Sequence, residues 1–132
     1  MADSRVMNIA LRCRLVDTAG ALLVVAGIAH AFGFAQFDAG LAEVAPDTRG
    51  GLHAGWLWGS VTFVALGAIT LGASRRWRRA IDPRPTVLPT AIALLVFGGV
   101  GFVARGLDPH FLGFVVLGLL VGVPVVGAAS DG

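Results

Sequence analysis

Four apolar runs occupy most of the chain, at residues 15–35, 52–73, 86–104 and 111–128, with short segments rich in Arg, Asp, Pro and Gly between them. Each run is 18 to 22 residues long, and about 20 apolar residues in a helix cross the hydrocarbon core of a bilayer. None alternates with the two-residue period of a membrane strand, and an open sheet edge has no partners in lipid, whereas a helix satisfies its own backbone. The pattern predicts an all-α membrane protein, residues 1–132 forming one domain of four transmembrane helices. Connections this short make sequential helices antiparallel neighbours, so the expected architecture is an up-down-up-down bundle.

Composition supports this reading. Hydrophobic residues make up 56% and charged residues 14% of the chain, against about 25% charged in soluble domains. The net charge of +2 comes from arginine alone, since the chain has no Lys. Those arginines flank spans, where topology demands them, so nucleic acid is not an expected partner.

Their distribution sets an orientation. Arg5, Arg12 and Arg14 precede the first run, and Arg75, Arg76, Arg78, Arg79 and Arg84 lie between the second and third. Arg49 and Arg105 alone occupy the other two connections. Short Arg-rich segments stay in the cytoplasm, and an even number of spans puts both clusters on one side. The chain is therefore expected in the inner membrane with both termini cytoplasmic. The cluster Arg75, Arg76, Arg78 and Arg79 serves topology and faces anionic lipid headgroups, and Trp77 within it suits an interfacial anchor. A competing reading makes the first run a signal peptide cleaved after Ala31.

Small residues mark where helices approach in lipid, because packing rather than apolar burial drives their association. Gly51, Gly55 and Gly59 form one stripe on the second run, and Gly118 and Gly122 another on the fourth. Both stripes are candidate helix-packing faces, within the monomer or at a homo-oligomer seam. On the first run Ala19, Leu23, Ala26, His30 and Gly33 share a face. His53 shares one with Ser60 and Gly67.

Three histidines are the only side chains suited to metal or haem ligation or to proton transfer near neutral pH. His53 and His110 begin spans that enter from outside, and His30 lies close to the outer end of the first. All three therefore fall in one layer. They are candidate cofactor-binding residues, for haem b or a transition metal, although no two share a helix at four-residue spacing. Catalytic motifs are absent: no acid lies mid-span, and Gly98-Gly-Val-Gly101 lacks the strand-turn-helix context of a phosphate loop. The single cysteine, Cys13, excludes an intramolecular disulfide.

Three functions are compatible with these residues. The first is a non-enzymatic accessory protein binding membrane lipid or a partner helix, alone or within a larger membrane complex. The second is a redox subunit holding haem or metal on the histidines. The third is a small oligomeric transporter or channel.

Overall fold

The computed structural model describes residues 8–127, so Arg5 and Ala128, at the edges of the expected layout, lie outside the described residues. The chain is an all-α four-helix bundle. Helix α1 (Ile9–Phe32) is followed after one residue by the short α2 (Phe34–Ala39), then by α3 (Pro46–Trp77), α4 (Arg84–Ala104), a 3-10 turn (Pro109–Phe111) and α5 (Leu112–Gly127). Four of these segments, the last running through the 3-10 turn, are long and apolar enough to cross a membrane. The protein is a small multi-pass membrane protein.

The helix ends follow local chemistry. Asn8 caps α1 by accepting the Ala10 N–H on its side-chain oxygen at 2.8 Å, which satisfies one of the donors a helix start leaves open. Pro46 opens α3, where its missing N–H removes nothing the helix needs. Helix α3 has 32 residues, about 48 Å at 1.5 Å per residue. It therefore projects beyond a hydrocarbon layer about 30 Å thick. The apolar run expected to continue to residue 35 breaks at Gly33, and α2 folds back against α3.

Helices α1 and α3 form one antiparallel hairpin, α4 and α5 another, and α1–α5 and α3–α4 contacts join them. The start of α1 and the described end of α5 lie at one end, called here the terminal end; the other is the distal end. The buried core sits toward the terminal end. Val16, Ala19 and Leu23 of α1 meet there with Thr70, Ala73 and Trp77 of α3, Val87, Ala91 and Leu94 of α4, and Val121 and Val125 of α5. At the distal end no residue among 28–32, 46–59, 99–104 or 112–117 is buried. The helices are tightly packed at one end and part at the other. Outward-facing Val25, Val61, Val100 and Val103 are all more than 60% exposed, which suits a lipid-facing surface.

Glycines permit close approach within each hairpin. A Cβ on Gly67 would lie 2.6 Å from the Gly20 carbonyl oxygen, and one on Gly27 2.8 Å from that of Ser60. In the second hairpin, a Cβ on Gly98 would lie 2.9 Å from the Phe111 carbonyl oxygen, and one on Gly118 2.8 Å from Leu95 Cγ. Gly122 faces Ala91.

The stripe on α3 behaves differently from the sequence expectation. Nothing lies within 4 Å of a Cβ built on Gly51 or Gly55, and Gly59 meets only His30 Cε1, at 3.5 Å. In the monomer this stripe meets no neighbouring helix backbone; α3 turns its Ser60–Gly67 face to α1 instead. Trp77, expected at the interface, is only 7% exposed and belongs to the core. Cys13 is buried too, and its carbonyl accepts from Ser74 Oγ at 3.3 Å. Arg75, Arg76, Arg78 and Arg79 are exposed at the terminal end, with Arg78 paired to Asp17 of α1.

Candidate functional site

Where the helices part, aromatic side chains fill the distal half. Phe37 of α2 stacks on Trp56 of α3 with ring centroids 4.2 Å apart and planes 19° from parallel. The other face of Trp56 stacks on His30 of α1, at 3.9 Å and 15°. Phe63 meets His30 edge-on at 6.0 Å and stacks on Phe114 of α5 at 5.0 Å. Phe97 and His110 then meet Phe114 edge-on. These are the offset and edge-to-face arrangements that ring quadrupoles favour. They form a continuous chain of rings across all four long helices.

The chain borders a cavity of about 860 Å³ between α3 and the α4–α5 hairpin. His30, Trp56, Phe63, Phe97 and Phe114 supply its ring-bearing wall, and Gly51, Gly55 and Gly59 leave the α3 side open. Arg105, Asp108 and His110 add polar groups from the α4–α5 connection. That connection is tightly made: Gly106 and Leu107 both have left-handed backbone, at φ +68° and +67°, and Asp108 accepts the His110 N–H at 2.9 Å. A largely apolar hollow with a few directed polar groups is the general form of a small-molecule site.

Hydrogen bonds lock His30 in place. Its Nδ1 lies 2.8 Å from Ser60 Oγ, and Ser60 Oγ donates to the Trp56 carbonyl at 3.2 Å. Trp56 Nε1 donates in turn to the His30 carbonyl at 2.8 Å, one of the acceptors a helix C-terminus leaves open. Helices α1 and α3 are thus tied reciprocally at the depth of the cavity.

A second polar group stands apart, against α2. Asp38 accepts from Arg49 Nε at 3.1 Å and from Arg49 Nη2 at 2.5 Å, and His53 Nε2 lies 2.8 Å from the same carboxylate oxygen. That nitrogen is sealed from solvent and out of line for a hydrogen bond. Phe34 and Phe37 lie edge-on to the His53 ring. The Arg49 guanidinium, aided by His53, holds the Asp38 carboxyl below its ordinary value despite an opposing desolvation.

The three histidines of the sequence reading are therefore divided. His30 and His110 line the cavity; His53 belongs to the Asp38 group outside it. Among the described residues no three His, Cys, Asp or Glu side chains gather as a metal site. Gly118 and Gly122 pack α5 on α4, whereas Gly51, Gly55 and Gly59 line the cavity. Sequence reasoning passed over Trp56 and Ser60 as partners of His30 and missed the Phe residues. A signal for the latter was present: seven of the eight Phe residues lie in the distal half and Phe63 lies near mid-helix. The chain matches no protein-family model, no curated protein and no solved structure.

Proposed function

We propose that this protein is a non-enzymatic membrane protein that takes an apolar or amphipathic lipid into the distal cavity. The observation that carries the proposal is the cavity itself, about 860 Å³ of ring-lined space between α3 and the α4–α5 hairpin. Packing alone does not require such a space, because interiors close up wherever side chains permit. The rigid ring stacks keep this one open. In this reading the arginine-rich terminal end faces the cytoplasm of the inner membrane, in keeping with the retention of positive segments, and the cavity serves the outer leaflet. Lipid is the proposed partner, and a homo-oligomer or larger complex is the alternative occupant of the exposed apolar faces.

The experiment is native mass spectrometry of protein purified in mild detergent. A monomer retaining about one lipid mass is the expected result, and Gly59→Leu, which puts a side chain into the cavity beside His30, lowers that retention. Wild-type protein that is bare, or lipid retention unchanged by Gly59→Leu, would overturn the proposal.

A second reading, a haem- or metal-binding subunit, draws on one observation: His30 and His110 border the same space. An optical spectrum and metal analysis of protein from cofactor-replete cells separate the two. A Soret band or stoichiometric metal lost in His30→Phe supports the second reading; neither signal is expected under the first.

A further inference from the structure

In the cavity wall, His30 Nε2 has no hydrogen-bond partner among the described residues. Ser60 Oγ sits between two groups, His30 Nδ1 at 2.8 Å and the Trp56 carbonyl oxygen at 3.2 Å. A serine hydroxyl has one proton, and a carbonyl can only accept. When that proton goes to the carbonyl, the contact with His30 is a hydrogen bond only if Nδ1 carries its own proton and donates it to Ser60 Oγ. The neutral ring is then the Nδ1–H tautomer, and its Nε2 holds a bare lone pair.

Among the described residues nothing donates to that lone pair. Nor is it sealed away, since the described side-chain atom both sealed and unbonded is His53 Nε2, not His30 Nε2. Both faces of the ring are spoken for in part: Trp56 covers one, and Phe63 approaches edge-on. The Cε1 edge beside Nε2 comes against Gly59, where no side chain intervenes. An open acceptor within an apolar bundle is costly unless something donates to it, and His30 borders the cavity.

Resting on the lipid-binding reading above, we propose that the cavity recognises a membrane-soluble phenol or hydroquinone, its hydroxyl donating to His30 Nε2 and its ring lying against the aromatic wall. Three features select this class. The bare nitrogen needs a donor, which favours a hydroxyl over a ligand offering carbonyls alone. The Phe63, Phe97, Phe111 and Phe114 rings favour a flat aromatic group by edge and offset-stacked contacts. An apolar tail leaves through the gap where α3 and α4 part. The same ring in its quinone form carries only acceptors, so binding it at Nε2 requires the His30 proton to leave Nδ1 and the Ser60 hydroxyl to turn from the Trp56 carbonyl to Nδ1, at the cost of the Ser60–Trp56 hydrogen bond. The site therefore discriminates the reduced from the oxidised headgroup by binding, without any electron transfer of its own.

The test uses the full chain in lipid nanodiscs, titrated anaerobically with decyl-hydroquinone kept reduced and, separately, with the matching quinone. The hydroquinone is expected to bind about tenfold more tightly, the discrimination one hydrogen bond to an otherwise open acceptor provides. His30→Phe is expected to bring the ratio to about one. On wild-type protein, the ¹⁵N resonance of His30 Nε2 is expected to move from the position of a bare imidazole nitrogen to that of a hydrogen-bonded one with hydroquinone, and to stay with quinone. This readout needs no variant. Equal affinities that Gly59→Leu abolishes, a ratio unchanged in a folded His30→Phe, or a resonance that does not move each overturn the proposal while leaving the cavity reading intact. No binding of either form, from a protein that also carries no lipid, overturns both.

Discussion

Arg12 of α1 is buried, 5% exposed, and its Nη1 donates to the Pro124 carbonyl oxygen of α5 at 3.0 Å. The guanidinium lies against the last turn of α5, and a Cβ on Gly127 would sit 3.4 Å from the same nitrogen. A cation at a helix C-terminus meets both open carbonyls and the negative end of the helix dipole. This contact helps hold the first helix to the last.

Arg12→Met keeps the length of the side chain and removes the donors. Hydrogen bonds from charged groups contribute about 1.5–3 kcal/mol. Arg12→Met is therefore expected to lower stability by about 2 kcal/mol in SDS titration of the micelle-bound protein, with Arg12→Lys intermediate. A change under about 0.5 kcal/mol would show that the α1–α5 contact rests on apolar packing alone.

Gly67→Ala and Gly55→Ala should act in opposite directions, although both lie on α3. The first places a methyl 2.6 Å from the Gly20 carbonyl oxygen and 2.8 Å from the Val24 nitrogen. These are backbone atoms, so only separation of α1 from α3 relieves the overlap, and a loss of about 1–3 kcal/mol is expected. At Gly55 the methyl meets nothing within 4 Å, and the lower backbone entropy of Ala is expected to add about 0.5–1 kcal/mol. Parallel unfolding curves decide the point, and equal effects at the two positions would contradict the packing described here.

Acidification should loosen α2 from α3 through Asp38. Its carboxyl is held below the ordinary 3.8 by Arg49 first, with His53 adding. A group whose folded-state value is lowered contributes stability that is fully present above the unfolded value and lost as pH falls through the folded one. The Asp38 contribution is thus expected to be lost as pH falls below about 4. Near-ultraviolet circular dichroism of the Phe37–Trp56 stack reports it, and Asp38→Asn should flatten the profile. An Asp38→Asn profile matching wild type would assign the transition to another carboxylate.

Ala80, in the turn between α3 and α4, has left-handed backbone at φ +60° without being glycine. The turn closes through the Ile81 N–H, which bonds the Arg76 carbonyl at 3.2 Å, and a residue with a Cβ is strained there. Ala80→Gly is expected to raise stability by about 1 kcal/mol. A lower thermal midpoint in the variant would mean that the entropy glycine loses on folding outweighs the strain.

How much of this was legible beforehand differs from residue to residue. The four spans could be read because a continuous apolar run needs only length to become a crossing helix. Gly118 and Gly122 could be read as packing positions, and they meet Ala91 and Leu95. Gly51, Gly55 and Gly59 carry the same spacing yet line a cavity. Spacing says which residues share a face and says nothing of where that face points. His53 is separated from His30 by α2, which exists because the first helix breaks at Gly33 and folds Asp38 and Phe37 back over α3. One glycine near the end of an apolar run gives no warning of that.

Chain order and composition alone determined that this is a membrane bundle of four antiparallel helices, since lipid tolerates only a backbone that satisfies itself. Tertiary structure decided the rotation of each helix, and with it the glycines that touch and the ring that stacks on His30. In lipid both the inward and outward faces of a helix are apolar. Hydrophobicity therefore cannot orient them, and only the fit of one side chain against another does.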